Sequence, residues 1–170
     1  MSRYNRTTRE CPVSQLHPEL YQAVEKFFRT HQLGDMTSET RRCCETISEN
    51  QNTNSLISFL EGNLDRTSRL AILMTSEWLI WVRSGDLSGI HTTGAKLKAI
   101  RAKLFITRRT KEMQLDISGF IADTKEYVRG TLELGAEPAA QSFCEDVERT
   151  LLKENPPEKR SLSGWFGNRK

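Results

Sequence analysis

The chain has 170 residues, with 36% hydrophobic and 28% charged side chains, a formal net charge of +3 and four cysteines. That length sets one domain with short annexes, and that composition leaves room for a core while excluding collagen-like, coiled-coil and disulfide-scaffold classes. No apolar run approaches the length needed to cross a bilayer, and no apolar segment follows the basic start, so neither a spanning helix nor a secretory signal is expected.

Residues 1–16 read as a flexible arm, because Arg3, Arg6 and Arg9 stand among polar residues without a period. Residues 17–38 read as a helical annex. Pro18 suits a first helical position, where its missing N–H has no partner to lose. Leu20, Val24, Phe27 and His31 then follow at i, i+4, i+7 and i+11, making one apolar face. Gly34 is placed as the C-terminal cap. His31 is read as a half-buried structural residue.

From residue 39 the period falls to two. Short strands are predicted around 41–49 and 56–60, then at Leu70–Thr75, a tight turn at Thr75-Ser76-Glu77, and Trp78–Arg83. In the last of these Trp78, Ile80 and Val82 take one face and Leu79 and Trp81 the other. A turn at 84–89 follows. Residues 95–107 are predicted as one strand broken near Ala99-Ile100, or as two short ones. Residues 113–121 and 127–134 complete about seven strands. A final helix opens at Glu137-Pro138 and carries Ala140, Phe143, Cys144, Val147 and Leu151 on one stripe, with Asn155-Pro156-Pro157 ending it. Residues 158–170 read as a flexible basic tail containing Trp165 and Phe166.

The strand order, the terminal helix and the stretch LAILMTSEWLIWVRSGD at 70–86 resemble bacterial pleckstrin-homology-like domains, over residues 39–157. The resemblance implies a mainly β fold, α+β by content: a bent antiparallel barrel closed by its C-terminal helix, with the N-terminal helix as an addition. It also implies a bacterial protein that self-associates through sheet edges. Independently, a sheet of this size must close or cover its edges. A two-layer α+β sandwich fits the same elements.

No nucleophile elbow, P-loop, GxGxxG or HExxH pattern occurs, and the three histidines are scattered, so no enzyme, metal, cofactor or small-molecule substrate is expected. Without a signal, the cysteines read as free thiols in a reducing cytoplasm. Adjacent Cys43 and Cys44 point to opposite faces of a strand, and one of them is expected outward as a candidate reactive thiol; Cys144 is expected buried.

Three features could bind a partner. The basic run Lys96, Lys98, Arg101, Lys103, Arg108, Arg109 and Lys111 contains no acid, and is followed by ten acids and four bases over residues 112–154. It could meet phosphate or pair internally with residues such as Asp116. Pleckstrin-homology domains that hold phosphoinositides use bases around their first strand–strand loop, and here Asn50–Asn54 carries none. Trp165 and Phe166, flanked by bases, could dock on a membrane interface or a partner. Leu79 and Trp81 could form an exposed apolar interface, as could Phe59. The sequence thus points to a non-enzymatic interaction or scaffold domain binding a protein partner or its own copies, a homo-oligomer among them. The alternative is a peripheral module on an anionic membrane surface. With one aromatic in the basic strand there is no stacking platform, which speaks against nucleic acid.

Overall fold

The computed structural model describes residues 4–51, 65–122 and 126–156. The described elements run β1 (Tyr4–Glu10), a 3₁₀ turn (Val13–Gln15), α1 (Pro18–Thr30), α2 (Met36–Glu39), β2 (Arg42–Asn50), β3 (Thr67–Met74), β4 (Trp78–Gly85), β5 (Gly89–Lys96), a 3₁₀ turn (Leu97–Ala99), β6 (Ile100–Ile106), β7 (Met113–Phe120), β8 (Tyr127–Leu134) and α3 (Pro138–Glu154). The fold is mainly β. The described strands form two antiparallel sheets, one ordered β1-β2-β3-β4-β5 and one ordered β6-β7-β8.

The sheets do not close into the barrel that the resemblance implied. On one side the 3₁₀ turn at Leu97–Ala99 carries the chain from β5 of one sheet to β6 of the other, and the two strands do not pair. On the other, β1 and β8 meet through side chains instead of a backbone ladder. The Gly135 N–H donates to Thr8 Oγ1 at 2.7 Å, the Thr8 N–H donates to Glu137 Oε2 at 3.0 Å, and Arg6 pairs with Glu133.

β1 corrects the expectation of a flexible arm over residues 1–16. Residues 4–10 pair in register with β2, from Tyr4 opposite Asn50 to Glu10 opposite Cys44. The strand gives no hydrophobic period because only Thr8 among its side chains is buried. Its arginines are held by distant acids: Arg6 by Glu112 and Glu133, Arg9 by Glu45.

The large sheet is covered on both faces. Alternation in β3 sends Leu70, Ile72 and Met74 into a core between the sheets, and Ala71 and Leu73 into a second core beneath α1. In β4, Leu79 joins the first core and Trp78, Ile80 and Val82 the second, as the sequence pattern predicts. The α1 stripe of Leu20, Val24 and Phe27 fills the second core, and its last turn ends in His31 stacked on Phe27 and Trp78 at 4.1 and 5.4 Å. The cap itself lies earlier than Gly34: His31 closes the helix, and Gln32 takes the left-handed backbone next to it. Each core contains more than a dozen buried side chains, and burying each large aliphatic one contributes roughly 1.5–3 kcal/mol.

Along α3, Ala140, Phe143, Cys144, Val147 and Leu151 are all buried, and the helix touches β1 and β2 of one sheet and β6 and β7 of the other. Asn155 fastens its end, donating from Nδ2 to the carbonyls of Leu97 and Ile100 at 2.8 and 2.9 Å. Among the described residues, no helix is long and apolar enough to cross a membrane. The predicted strand near 56–60, and Phe59 with it, lies outside the described residues, as does most of the Asn50–Asn54 loop.

Candidate functional site

The inner face of the small sheet is apolar: Ile100, Leu115, Ile117, Leu132 and Leu134 are buried against the core. Its outer face carries different chemistry. Cross-strand register assembles four rows there: Phe120 beside Tyr127; Arg101, Ser118 and Arg129; Lys103, Asp116 and Thr131; and Phe105, Gln114 and Glu133. Arg101, Lys103, Phe105, Phe120, Tyr127 and Arg129 are exposed.

These side chains are ordered by one another. Phe120 and Tyr127 meet edge to face with ring centroids 5.5 Å apart. Hydrogen bonds to Ser118 and then Arg129 hold the Tyr127 phenol below its ordinary pKa. Lys103 Nζ lies 4.8 Å from the centre of the Phe105 ring. The Thr131 hydroxyl donates to Asp116 Oδ1 at 2.8 Å. Among the described residues, no carboxylate forms an ion pair with Arg101, Lys103 or Arg129. Of the internal pairings open to the basic run, one between Lys103 and Asp116 is not made, although the two stand opposite each other.

The face forms a shallow groove of ≈ 610 Å³, walled at the β6 side by Glu148 and Leu152 of α3. Glu148 Oε1 also accepts the Leu104 N–H at 2.9 Å, which covers the edge of β6 against strand addition. Six strand positions separate the Phe105 row from the Phe120 row, about 20 Å at the usual rise. The surface is thus a cationic centre between two aromatic ends.

The basic run does not act as one patch. Arg101 and Lys103 lie on this face. Lys96 instead lies over Trp78, with Nζ 5.8 Å from the ring centre. Lys98 sits in the 3₁₀ turn, and Arg108, Arg109 and Lys111 occupy the β6–β7 turn beside exposed Ile106. Arg129, Phe120 and Tyr127 were not singled out from the sequence. The outward parity of Phe120 was readable in the alternation of 113–120, but only register brings Tyr127 and Arg129 beside it.

Two further expectations are corrected. Leu79 is 0% exposed, and Trp81 is half-buried and packed against the core between the sheets, so these residues form no exposed apolar interface. Both faces of β4 are apolar because α1 covers one and the small sheet covers the other. For the same reason neither Cys43 nor Cys44 points outward: Cys43 is buried under α1 and Cys44 between the sheets. Cys144 is buried, as expected, and burial raises its thiol to about 12. Trp165 and Phe166 lie outside the described residues.

A second polar cavity, of ≈ 450 Å³, lies between Tyr4, Arg6, Asp65, Arg83, Ser88 and His91. Its cations are engaged within the fold: Arg6 with Glu112 and Glu133, and Arg83 with the Thr131 carbonyl. Among the described residues, no group of three or more His, Cys, Asp or Glu side chains is placed to hold a metal ion.

No family model matches the chain, and no curated protein or solved structure matches it.

Proposed function

We propose that this chain is a non-enzymatic interaction module of pleckstrin-homology-like type, and that the outer face of β6-β7-β8 docks an acidic segment of a protein partner. The observation that carries this reading is the set of cations Arg101 and Arg129 flanking Ser118, with Lys103 next to them, all three exposed and without ion-pair partners among the described residues. Charged groups across an interface select a partner of opposite potential. A second copy of the same face would set guanidinium against guanidinium, so self-association through it is disfavoured. Aromatic and arginine side chains are also the types that anchor protein interfaces. The meander of five strands, the three-stranded sheet and the terminal helix support the pleckstrin-homology-like part of the reading.

A bilayer is the competing partner, because Ile106, Arg108, Arg109 and Lys111 expose an apolar and basic turn at one end of the same sheet. The acidic-segment reading is favoured by the placing of aromatics at both ends of the face, since a membrane meets one tip. The test is a binding panel: glutamate-rich peptides with and without an aromatic residue, and vesicles of phosphatidylserine in phosphatidylcholine. Peptide binding that weakens with salt and is lost in Arg101→Glu with Arg129→Glu supports the proposal. Vesicle binding that survives those changes and is lost in Arg108→Glu with Arg109→Glu favours the membrane reading.

A further inference from the structure

Where β1 ends, its ladder with β2 continues by one more bond: the Cys11 N–H donates to the Cys43 carbonyl at 3.1 Å. Glu10 stands opposite Cys44, so the next antiparallel step sets Cys11 opposite Cys43. Both side chains enter the core beneath α1. Residues facing each other across a hydrogen-bonded antiparallel pair have Cα atoms about 5.5 Å apart, within the span a disulfide bridges. Both are free thiols. They also line one groove of ≈ 350 Å³ with Glu10, Thr37, Arg41 and Arg42, which gives a small reagent a route to Cys11. Cys44 and Cys144 are at 0% exposure in the other core and have no such route.

The two thiols are electrostatically unequal. Contact with the Cys43 thiol, and after it the charge of Arg9, lower the Cys11 thiol below its ordinary value, against burial and the nearby Glu45 and Glu10. Cys43 is pushed well up, by the same contact first and by burial second. Attack by a thiolate on an oxidant needs one ionised sulfur in reach of solvent, and a neighbouring thiol to resolve the product.

We infer that Cys11 and Cys43 form an oxidisable dithiol, in which Cys11 reacts with a hydroperoxide and Cys43 resolves it to a cross-strand disulfide. In the first step the Cys11 sulfur attacks the peroxide. An S–O bond forms, the O–O bond breaks, and the leaving alkoxide or hydroxide takes up a proton. Cys11 is oxidised by two electrons to a sulfenic acid and the peroxide is reduced to an alcohol or water. In the second step the Cys43 sulfur attacks the Cys11 sulfur. The S–S bond forms, the S–O bond breaks, and the hydroxyl leaves with the Cys43 proton as water. The bond would close residues 12–42, which contain α1 and α2, onto the large sheet. This inference does not rest on the proposed function of the outer face.

The test treats the full chain with stoichiometric hydrogen peroxide, alkylates remaining thiols under denaturing conditions, and maps the peptides by mass spectrometry. The expected result is a Cys11–Cys43 linked peptide, with Cys44 and Cys144 recovered as alkylated thiols. In Cys43→Ser the Cys11 sulfenic acid should persist and be trapped by dimedone, and in Cys11→Ser rapid peroxide consumption should be lost. A second measurement needs no variant: the labelling rate of Cys11 in the folded wild-type chain should rise with a midpoint below that of an ordinary thiol. Recovery of Cys11 and Cys43 as thiols would overturn the inference. So would oxidation of Cys44 or Cys144 at an equal rate, a Cys11–Cys11 link between chains, or a labelling midpoint at the ordinary thiol value of about 8.5.

Discussion

Gly94 of β5 lies so close to Phe27 of α1 that a Cβ added to Gly94 would stand 2.2 Å from Phe27 Cζ. Phe27 is buried and also meets Trp78 edge to face at 5.9 Å. The missing side chain in the sheet is thus what lets the helix seat Phe27. Gly94→Ala should destabilise the fold by about 2 kcal/mol, as overpacking of a filled core does. Phe27→Ala should cost about 3–5 kcal/mol through lost burial and the cavity it leaves. In the Phe27→Ala background the alanine at 94 has room, so the double variant should cost less than the sum. Urea unfolding of the four proteins measures that coupling.

Arg42 fastens the start of β2 to both ends of the chain. Its Nε and Nη2 donate to Glu10 at 2.8 Å each, Nη1 donates to the Ser142 carbonyl at 3.0 Å, and Asp146 lies at 3.5 Å. The Arg42 hydrogen bonds hold the Glu10 carboxyl below its ordinary value; Arg149 first, and Arg42 after it, do so for Asp146. Because both carboxyls are lowered in the folded state, their contribution is present above the unfolded carboxylate pKa of about 4 and is lost as pH falls through the lower folded values. Thermal unfolding followed into the acid range should therefore show stability declining below about pH 4. In Arg42→Ala that decline should be shallower, and the protein less stable at neutral pH.

Glu45 is 1% exposed in the middle of β2, held by Arg9 at 2.6 Å and reached by Arg69 at 3.6 Å. Glu45 is the buried member of the pair, so removing Arg9 leaves a buried charge with less compensation, whereas removing both does not. Arg9 itself is 55% exposed, so solvent screens part of the loss and Arg9→Met should cost about 1–2 kcal/mol, with Arg69 too far to replace the hydrogen bond. Arg9→Met with Glu45→Met should recover most of that loss in chemical denaturation. Equal destabilisation in the single and double variants would show that the pair carries no such penalty.

Much of the fold was legible in the sequence because several elements each bury one clear stripe. Leu20, Val24 and Phe27 mark α1; Ala140, Phe143, Cys144, Val147 and Leu151 mark α3; and the alternation from Trp78 to Val82 marks β4. β1 was not legible, because an edge strand that buries only Thr8 leaves no apolar period, and the acids that steady Arg6 lie more than a hundred residues away. β5 was hidden by Gly89 and Gly94, which lower strand propensity for reasons of turn and packing that only the folded chain shows. On the outer face, Arg101 and Lys103 were visible in the basic run. Phe120, Tyr127 and Arg129 join them through strand register, which sequence period does not fix.

The outer face can be located directly by backbone amide NMR during titration with a glutamate-rich peptide containing an aromatic residue. The predicted result is a contiguous set of shift changes at Arg101, Lys103, Ser118, Phe120, Tyr127 and Arg129, weakening as salt is raised and absent in Arg101→Glu with Arg129→Glu. Shift changes confined to the β6–β7 turn or to the cavity around Arg83 and His91, with the outer face unmoved, would contradict the proposed docking surface.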